Sequence, residues 1–232
     1  MRLDKYVSHC GYGSRSDVRQ LIKQGVVEVD GVVCKQAARH INNEAVTVYG
    51  EPLEYEPYLY YMMHKPQGVL SASKDDKLPT AIDLLQGVNP LPVHVVGRLD
   101  IDATGLLLLT NNGALAHTII SPKTKYPKHY LVTLREPLTP KTINQLETGI
   151  DLDGTLTKPC QVNTLDSLTY EIILIEGRYH QIKKMMHAVE NEVTTLHRTQ
   201  IGPLHLDPHL QPGQHRSLNK EEVIELTTYK NA

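Results

Sequence analysis

The chain has 232 residues, with 24 Lys and Arg against 26 Asp and Glu and a formal net charge of −2; the length allows one large domain plus a small one, and the charge by itself announces no nucleic-acid partner. No run approaches the roughly 20 apolar residues that span a bilayer and no signal-peptide stretch opens the chain, which excludes a membrane protein in favour of a soluble, cytoplasmic one. Cys10, Cys34 and Cys160 are odd in number and dispersed, which excludes a disulfide framework and a Cys-x-x-Cys zinc site.

The first predicted element is a short helix over Arg2 to His9 with Leu3, Tyr6 and Val7 on one face, broken at Gly11-Tyr12-Gly13. Ser14 then caps a second helix, Asp17 is its capping-box partner and Gly25 its stop. Val18, Leu21 and Ile22 form the apolar stripe of this helix, while Arg15, Arg19 and Lys23 recur every four residues as a basic one. Val27-Glu28-Val29, the Asp30-Gly31 turn and Val32-Val33 read as a hairpin. Residues 1 to 43 hold seven basic and four acidic residues, so positive charge is concentrated at this end. From spacing alone the stripe is either a solvated face or a phosphate contact. The whole segment resembles the small RNA-binding domain first described in a ribosomal small-subunit protein. The resemblance implies that Arg15, Ser16, Arg19 and Lys23 face the phosphates of structured RNA.

The acidic, proline-bearing stretch GEPLEYEP, Gly50 to Pro57, marks a linker, set at 51–58 after a domain over 1–50. From Leu59 onward, strand-like runs (Leu59 to His64, Val93 to Val96, Leu106 to Leu109, Tyr130 to Leu134, Tyr170 to Ile175) alternate with predicted helices (Thr80 to Leu85, Ala114 to Ile120, Pro140 to Leu146, His180 to Val189, Lys220 to Leu226). No Gly-rich nucleotide loop occurs. The 12 histidines lack carboxylate or cysteine partners at ligand spacing, so no metal is expected.

The chemistry concentrates in Gly97-Arg98-Leu99-Asp100-Ile101-Asp102-Ala103-Thr104-Gly105, which runs into the apolar Leu106 to Leu109. This places a carboxylate at the rim of a buried sheet, where it requires a cation. From spacing alone Arg98 and Asp100 read either as a loop ion pair or as a functional pair. The string resembles the signature of bacterial pseudouridine synthases of the RsuA type. The likeness continues through His64-Lys65-Pro66-Gln67-Gly68, Ser121-Pro122-Lys123, Lys128-His129-Tyr130-Leu131-Val132, Glu176-Gly177-Arg178-Tyr179-His180-Gln181-Ile182-Lys183-Lys184-Met185 and Leu196-His197-Arg198.

That resemblance implies an α+β chain: a small helical and hairpin RNA-binding domain, then a mixed, largely antiparallel sheet with flanking helices as the catalytic domain over 59–232. It implies isomerisation of a uridine in ribosomal RNA, or in a small-subunit assembly precursor, by a monomer that uses no cofactor and no metal. Asp100 matches the catalytic carboxylate and Tyr130 the active-site tyrosine that stacks on the flipped-out base. Lys183 matches the basic partner of Asp100, with Arg98 as second candidate. Leu99 and Ile182 supply apolar walls, and Lys123, Lys125, Lys128, Arg178 and Arg198 receive the RNA backbone. His64, His129 and Met186 depart from the usual residues at their positions. Three other readings stand beside this one: a large-subunit enzyme, a non-catalytic ribosome-assembly protein, and a hydrolase built on Asp100 and Asp102.

Overall fold

The computed structural model describes residues 1–86, 92–121, 123–124 and 126–229. The chain divides into two units, one built on Met1–Leu59 and the other on Tyr60–Leu85 and the chain from Val93 onward.

The first unit comprises α1 (Leu3–His9), α2 (Arg15–Gln24), β1 (Val27–Val29), β2 (Val32–Val33), β3 (Val46–Val48) and β4 (Glu51–Pro52), with sheet order β2-β1-β3-β4. Local chemistry sets its boundaries. The Ser14 side chain accepts from the Asp17 amide, the Asp17 side chain accepts from the Ser14 amide, and Gly25 closes α2 in the left-handed region. Asp30 (φ 52°) and Gly31 (φ 75°) both take positive φ, as a two-residue turn between Val29 and Val32 demands. Leu3, Val7, Val18 and Ile22 pack on Val27, Val29, Val46 and Val48, while Leu21 is only partly buried. The segment expected to be linker belongs in part to this fold: Glu51–Pro52 pair with β3, and the Tyr55 ring lies 5.1 Å from that of Tyr6. The prolines do not prevent this, because β4 is an edge strand and the missing amide of Pro52 has no ladder partner to supply.

The second unit follows in the order β5 (Tyr60–Lys65), β6 (His94–Val96), β7 (Thr104–Thr110), α3 (Gly113–Ile120), β8 (Lys128–Leu134), α4 (Pro140–Thr148), β9 (Asp151–Leu152), β10 (Thr155–Leu156), β11 (Gln161–Thr164), β12 (Thr169–Leu174), α5 (Gln181–Ala188), β13 (Val193–Ile201), β14 (Leu204–His205), β15 (His215–Ser217) and α6 (Lys220–Thr228). Its main sheet runs β11-β12-β8-β13-β7-β5-β15, with β6 added to β7 and β14 to β13. The pairing is antiparallel except where β13 meets β7 in parallel, His197 against Thr104 and Arg198 against Gly105. Leu106, Leu107, Leu108 and Leu109 are all fully buried, which explains why β7 reads as a continuous apolar run rather than an alternating one. One core cluster gathers β8, β12 and the apolar face of α5, including Leu99, Tyr130, Ile182 and Met186. The other joins β5 and β7 to α3 and α6. Among the described residues no helix is long and apolar enough to cross a membrane.

This unit differs from expectation in one predicted helix and in the strands β9, β10, β11, β13, β14 and β15, which no predicted run covers. Thr80 to Leu85 forms turns and not a helix: Leu70 donates to the Pro79 carbonyl and accepts from the Ala81 amide, and the Thr80 hydroxyl and amide both bond the Asp83 carboxylate. The cap is present, but the described backbone bonds that follow are of the i→i+3 kind, Asp83 to Thr80 and Leu85 to Ile82, which close turns and not an α-helix. Conversely β13 escapes pattern reading, because its burial is irregular and its inward positions include Arg198.

Candidate active site

Asp100 lies in the short turn that leads into β7, and that turn is held from below at several points. The Ser71 hydroxyl, itself buried, donates to the Leu99 carbonyl at 2.8 Å and accepts from the Leu99 amide at 3.0 Å. The Gly68 amide donates to Ile101 O at 2.8 Å. Lys65, fully buried at the end of β5, donates to Ala103 O at 2.8 Å and Pro66 O at 3.0 Å. Burial pushes the Lys65 ammonium down to about 8, while Asp102 and Asp100 pull it back up. Neither Ser71 nor the role of Lys65 is legible in the sequence, since what they grip is backbone that only the fold brings near.

The first turn of α5 faces Asp100 from the other side. Lys183 Nζ stands 3.2 Å from Asp100 Oδ2 and 2.5 Å from Asp102 Oδ1, so one ammonium bridges two carboxylates. Burial draws the Lys183 pKa down, but the hydrogen bonds to Asp102 and Asp100 outweigh it and the net shift is upward. The Asp102 carboxyl is correspondingly held below its ordinary value, chiefly by its hydrogen bond to Lys183. His180, at the N-cap of α5, brings Nε2 to 3.4 Å from Asp100 Oδ1. Leu99 and Ile182, the chain neighbours of Asp100 and Lys183, pack with Tyr130 of β8 in one buried core cluster, all three less than 10% exposed. The Arg198 guanidinium covers one face of the Tyr130 ring at 5.9 Å. A cavity of about 760 Å³ is lined by Asp102, Lys183, His187 and Arg135 among others; neither Asp100 nor Tyr130 lines it.

The arrangement is a carboxylate with its own cation, each adjoining in the chain a residue, Leu99 or Ile182, of the apolar cluster that holds Tyr130. The family model described as RNA pseudouridylate synthase matches residues 59–188, and the S4 domain model matches residues 1–51.

This chain belongs to the RNA pseudouridylate synthase family.

It is 45% identical to the uncharacterized RNA pseudouridine synthase YtzG of Bacillus subtilis, over 96% of this chain and 97% of that one. It is 39% identical to the ribosomal small subunit pseudouridine synthase A of Vibrio cholerae, over 97% and 99%. A crystal structure of a pseudouridylate synthase superimposes with a TM-score of 0.69 at 36% identity, covering 97% of this chain and 99% of that one.

In this RNA pseudouridylate synthase several side chains expected to contact RNA are bonded within the fold. Arg198 is buried at 1% exposure and donates to the carbonyls of Leu106 (2.8 Å) and Gly97 (2.7 Å), joining β13 to β7. Lys128 is buried and donates to Tyr126 O (2.9 Å) and Ile119 O (3.3 Å). Burial, with the charge of Arg198 adding to it, pushes Lys128 down to about 8. Arg178 donates to the carbonyls of Thr155 (2.9 Å) and Leu156 (2.5 Å), pinning the β9–β10 hairpin. Arg98 is exposed and, among the described residues, carries no ion pair, so the cation of Asp100 is Lys183. Lys123 is exposed; Pro122 and Lys125 lie outside the described residues. The departures fit locally: Met186 fills the core, His129 pairs with Glu171 at 3.0 Å, and His64 bonds the Leu210 carbonyl at 2.8 Å.

In the first unit Arg2, Arg15 and Arg19 converge on the buried Asp4 carboxylate at 3.0, 2.9 and 3.2 Å. The guanidiniums, that of Arg2 foremost, hold Asp4 well below the usual carboxylate range. Three cations on one anion leave positive charge to spare, and each arginine stays roughly half exposed. Ser16 and Lys23 are exposed on the same helix.

Proposed function

We propose that this enzyme isomerises a specific uridine in small-subunit ribosomal RNA, with Asp100 as the essential carboxylate and no cofactor. The observation that carries the reading is Asp100 beside Lys183 at the rim of the Tyr130, Leu99 and Ile182 cluster. The name and near-complete coverage of the Vibrio cholerae relative support the small subunit as substrate.

The conversion breaks the bond from C1′ to N1 of the base, forms one from C1′ to C5, releases the C5 proton to solvent and returns one to N1, so atoms and electrons balance without a cosubstrate. Whether Asp100 attacks the sugar, attacks the base or takes a ribose proton, each route uses its ionised form. Taking a carboxylate out of water opposes ionisation, and the Lys183 ammonium at 3.2 Å offsets that cost. The flipped-out uracil stacks on the Tyr130 face opposite Arg198, between Leu99 and Ile182. The first unit, residues 1–50, grips structured RNA through Arg15, Ser16, Arg19 and Lys23, and residues 59–232 perform the chemistry. Buried Lys128 and Arg198 position strands, and Arg98 is left without a role at Asp100.

Tritium release from RNA labelled at uracil C5 tests this, with small-subunit and large-subunit transcripts assayed separately. Wild type should release tritium from the small-subunit transcript, Asp100→Asn should release none, and Lys183→Met should be slowed by about 100-fold, as expected when a carboxylate loses its cation. Release from the large-subunit transcript alone reassigns the substrate; full activity of Asp100→Asn removes the carboxylate from the mechanism.

A further inference from the structure

Tyr179 is 74% exposed, more than any other large apolar or aromatic side chain among the described residues. It is not loose. Its ring stacks on that of His180 with centroids 3.8 Å apart and planes 20° apart, and His180 in turn touches Asp100. His180 takes φ 52°, ψ 35°, a left-handed conformation that a non-glycine residue holds only when its surroundings impose it. Those surroundings are visible. The Arg178 amide donates to the buried Gln181 side chain at 2.9 Å, Gln181 donates to the buried Glu176 carboxylate at 2.8 Å, and Glu176 accepts from the Lys158 amide at 3.0 Å. The turn is therefore fixed before any substrate arrives, with one face of the tyrosine ring against His180 and the ring otherwise in water.

We infer that the Tyr179–His180 stack is a platform for an unpaired nucleobase of the RNA, the one next to the uridine that enters the Asp100 site. This rests on the isomerase reading above. When a uridine leaves the helix, its neighbour loses a stacking partner at the mouth of the pocket, and a rigid aromatic face replaces it. The fold has no need of this ring for packing: the core cluster beneath is closed by Ile182, Met185 and Met186. Stacking on an aromatic ring tolerates any base, so the platform contributes affinity and placement and no sequence readout. Tyr179 is a binding residue, and His180 positions it while bordering Asp100.

The test compares two fluorescein-labelled decamers of equal charge, decauridylate and a ribose-phosphate decamer without bases, by anisotropy at low salt. Wild type should prefer the decauridylate. Tyr179→Ala should lose about 5- to 100-fold of that preference, with its affinity for the baseless decamer unchanged, and Tyr179→Phe should restore it. Equal affinity of wild type for the two decamers, or a Tyr179→Ala variant that discriminates as wild type does, overturns the platform. Tritium release by wild type from ribosomal RNA reports on the isomerase reading separately: its absence with base discrimination intact removes that reading and leaves the platform standing.

Discussion

A β-carbon on Gly105 would lie 2.2 Å from the backbone oxygen of Arg198 and 2.7 Å from its nitrogen. The two residues are register partners where β7 and β13 run parallel, and Gly105 adopts φ 105°, which side chains disfavour. The glycine of the Thr104-Gly105 pair is therefore required by sheet closure and not by chemistry at Asp100. Gly105→Ala should destabilise the protein by about 2–4 kcal/mol, lowering Tm by roughly 4–16 °C. Calorimetry decides: a Tm within about 2 °C of wild type would mean that the strands shift freely.

Ser71 should matter to the rate although it lies away from the reacting atoms. Ser71→Ala leaves the amide and carbonyl of buried Leu99 without their partner, at a cost of about 1–3 kcal/mol for each unsatisfied group. Because Leu99 precedes Asp100, kcat should fall by about 10- to 100-fold with KM nearly unchanged. A rise in KM at constant kcat would place the effect in RNA binding instead.

Asp4 should govern acid stability of the first unit. Its pKa in the folded state is depressed, so its contribution is present above the unfolded value of about 3.9 and is lost as pH falls below it. Asp4→Asn should reduce stability by on the order of 1–2 kcal/mol near neutrality and flatten the decline between about pH 4 and pH 2. Urea titrations at stepped pH provide the measurement, and an unchanged acid limb would show that Asp4 is not the linked group.

Lys23 and Arg19 should separate charge from architecture. Lys23→Ala removes an exposed charge outside the Asp4 cluster and should make the slope of log affinity against log salt less negative by about 0.7–0.9, without loss of stability. Arg19→Ala should change the slope similarly and also lower Tm, since it takes one guanidinium from Asp4. Filter binding across a salt series checks both, and slopes equal to wild type would move the RNA contact elsewhere.

Those features that depend on a few consecutive residues were determined by the sequence alone. The Ser14–Asp17 capping box, the Gly25 stop and the Asp30-Gly31 turn are satisfied within their own neighbourhood, so residue type and spacing suffice. The approach of Lys183 to Asp100 was legible only as a resemblance, because no local rule relates residues that far apart. What tertiary structure alone decided is which cations face solvent. Lys65, Lys128 and Arg198 look like Lys123 or Arg98 in a string of letters, yet each is buried on carbonyls brought to it by other elements. The same reason hides Ser71 and strand β13, whose partners are backbone groups distant in the chain. A charged or hydroxyl side chain carries no mark of whether water or a remote carbonyl will satisfy it, and only the folded arrangement of the backbone settles that.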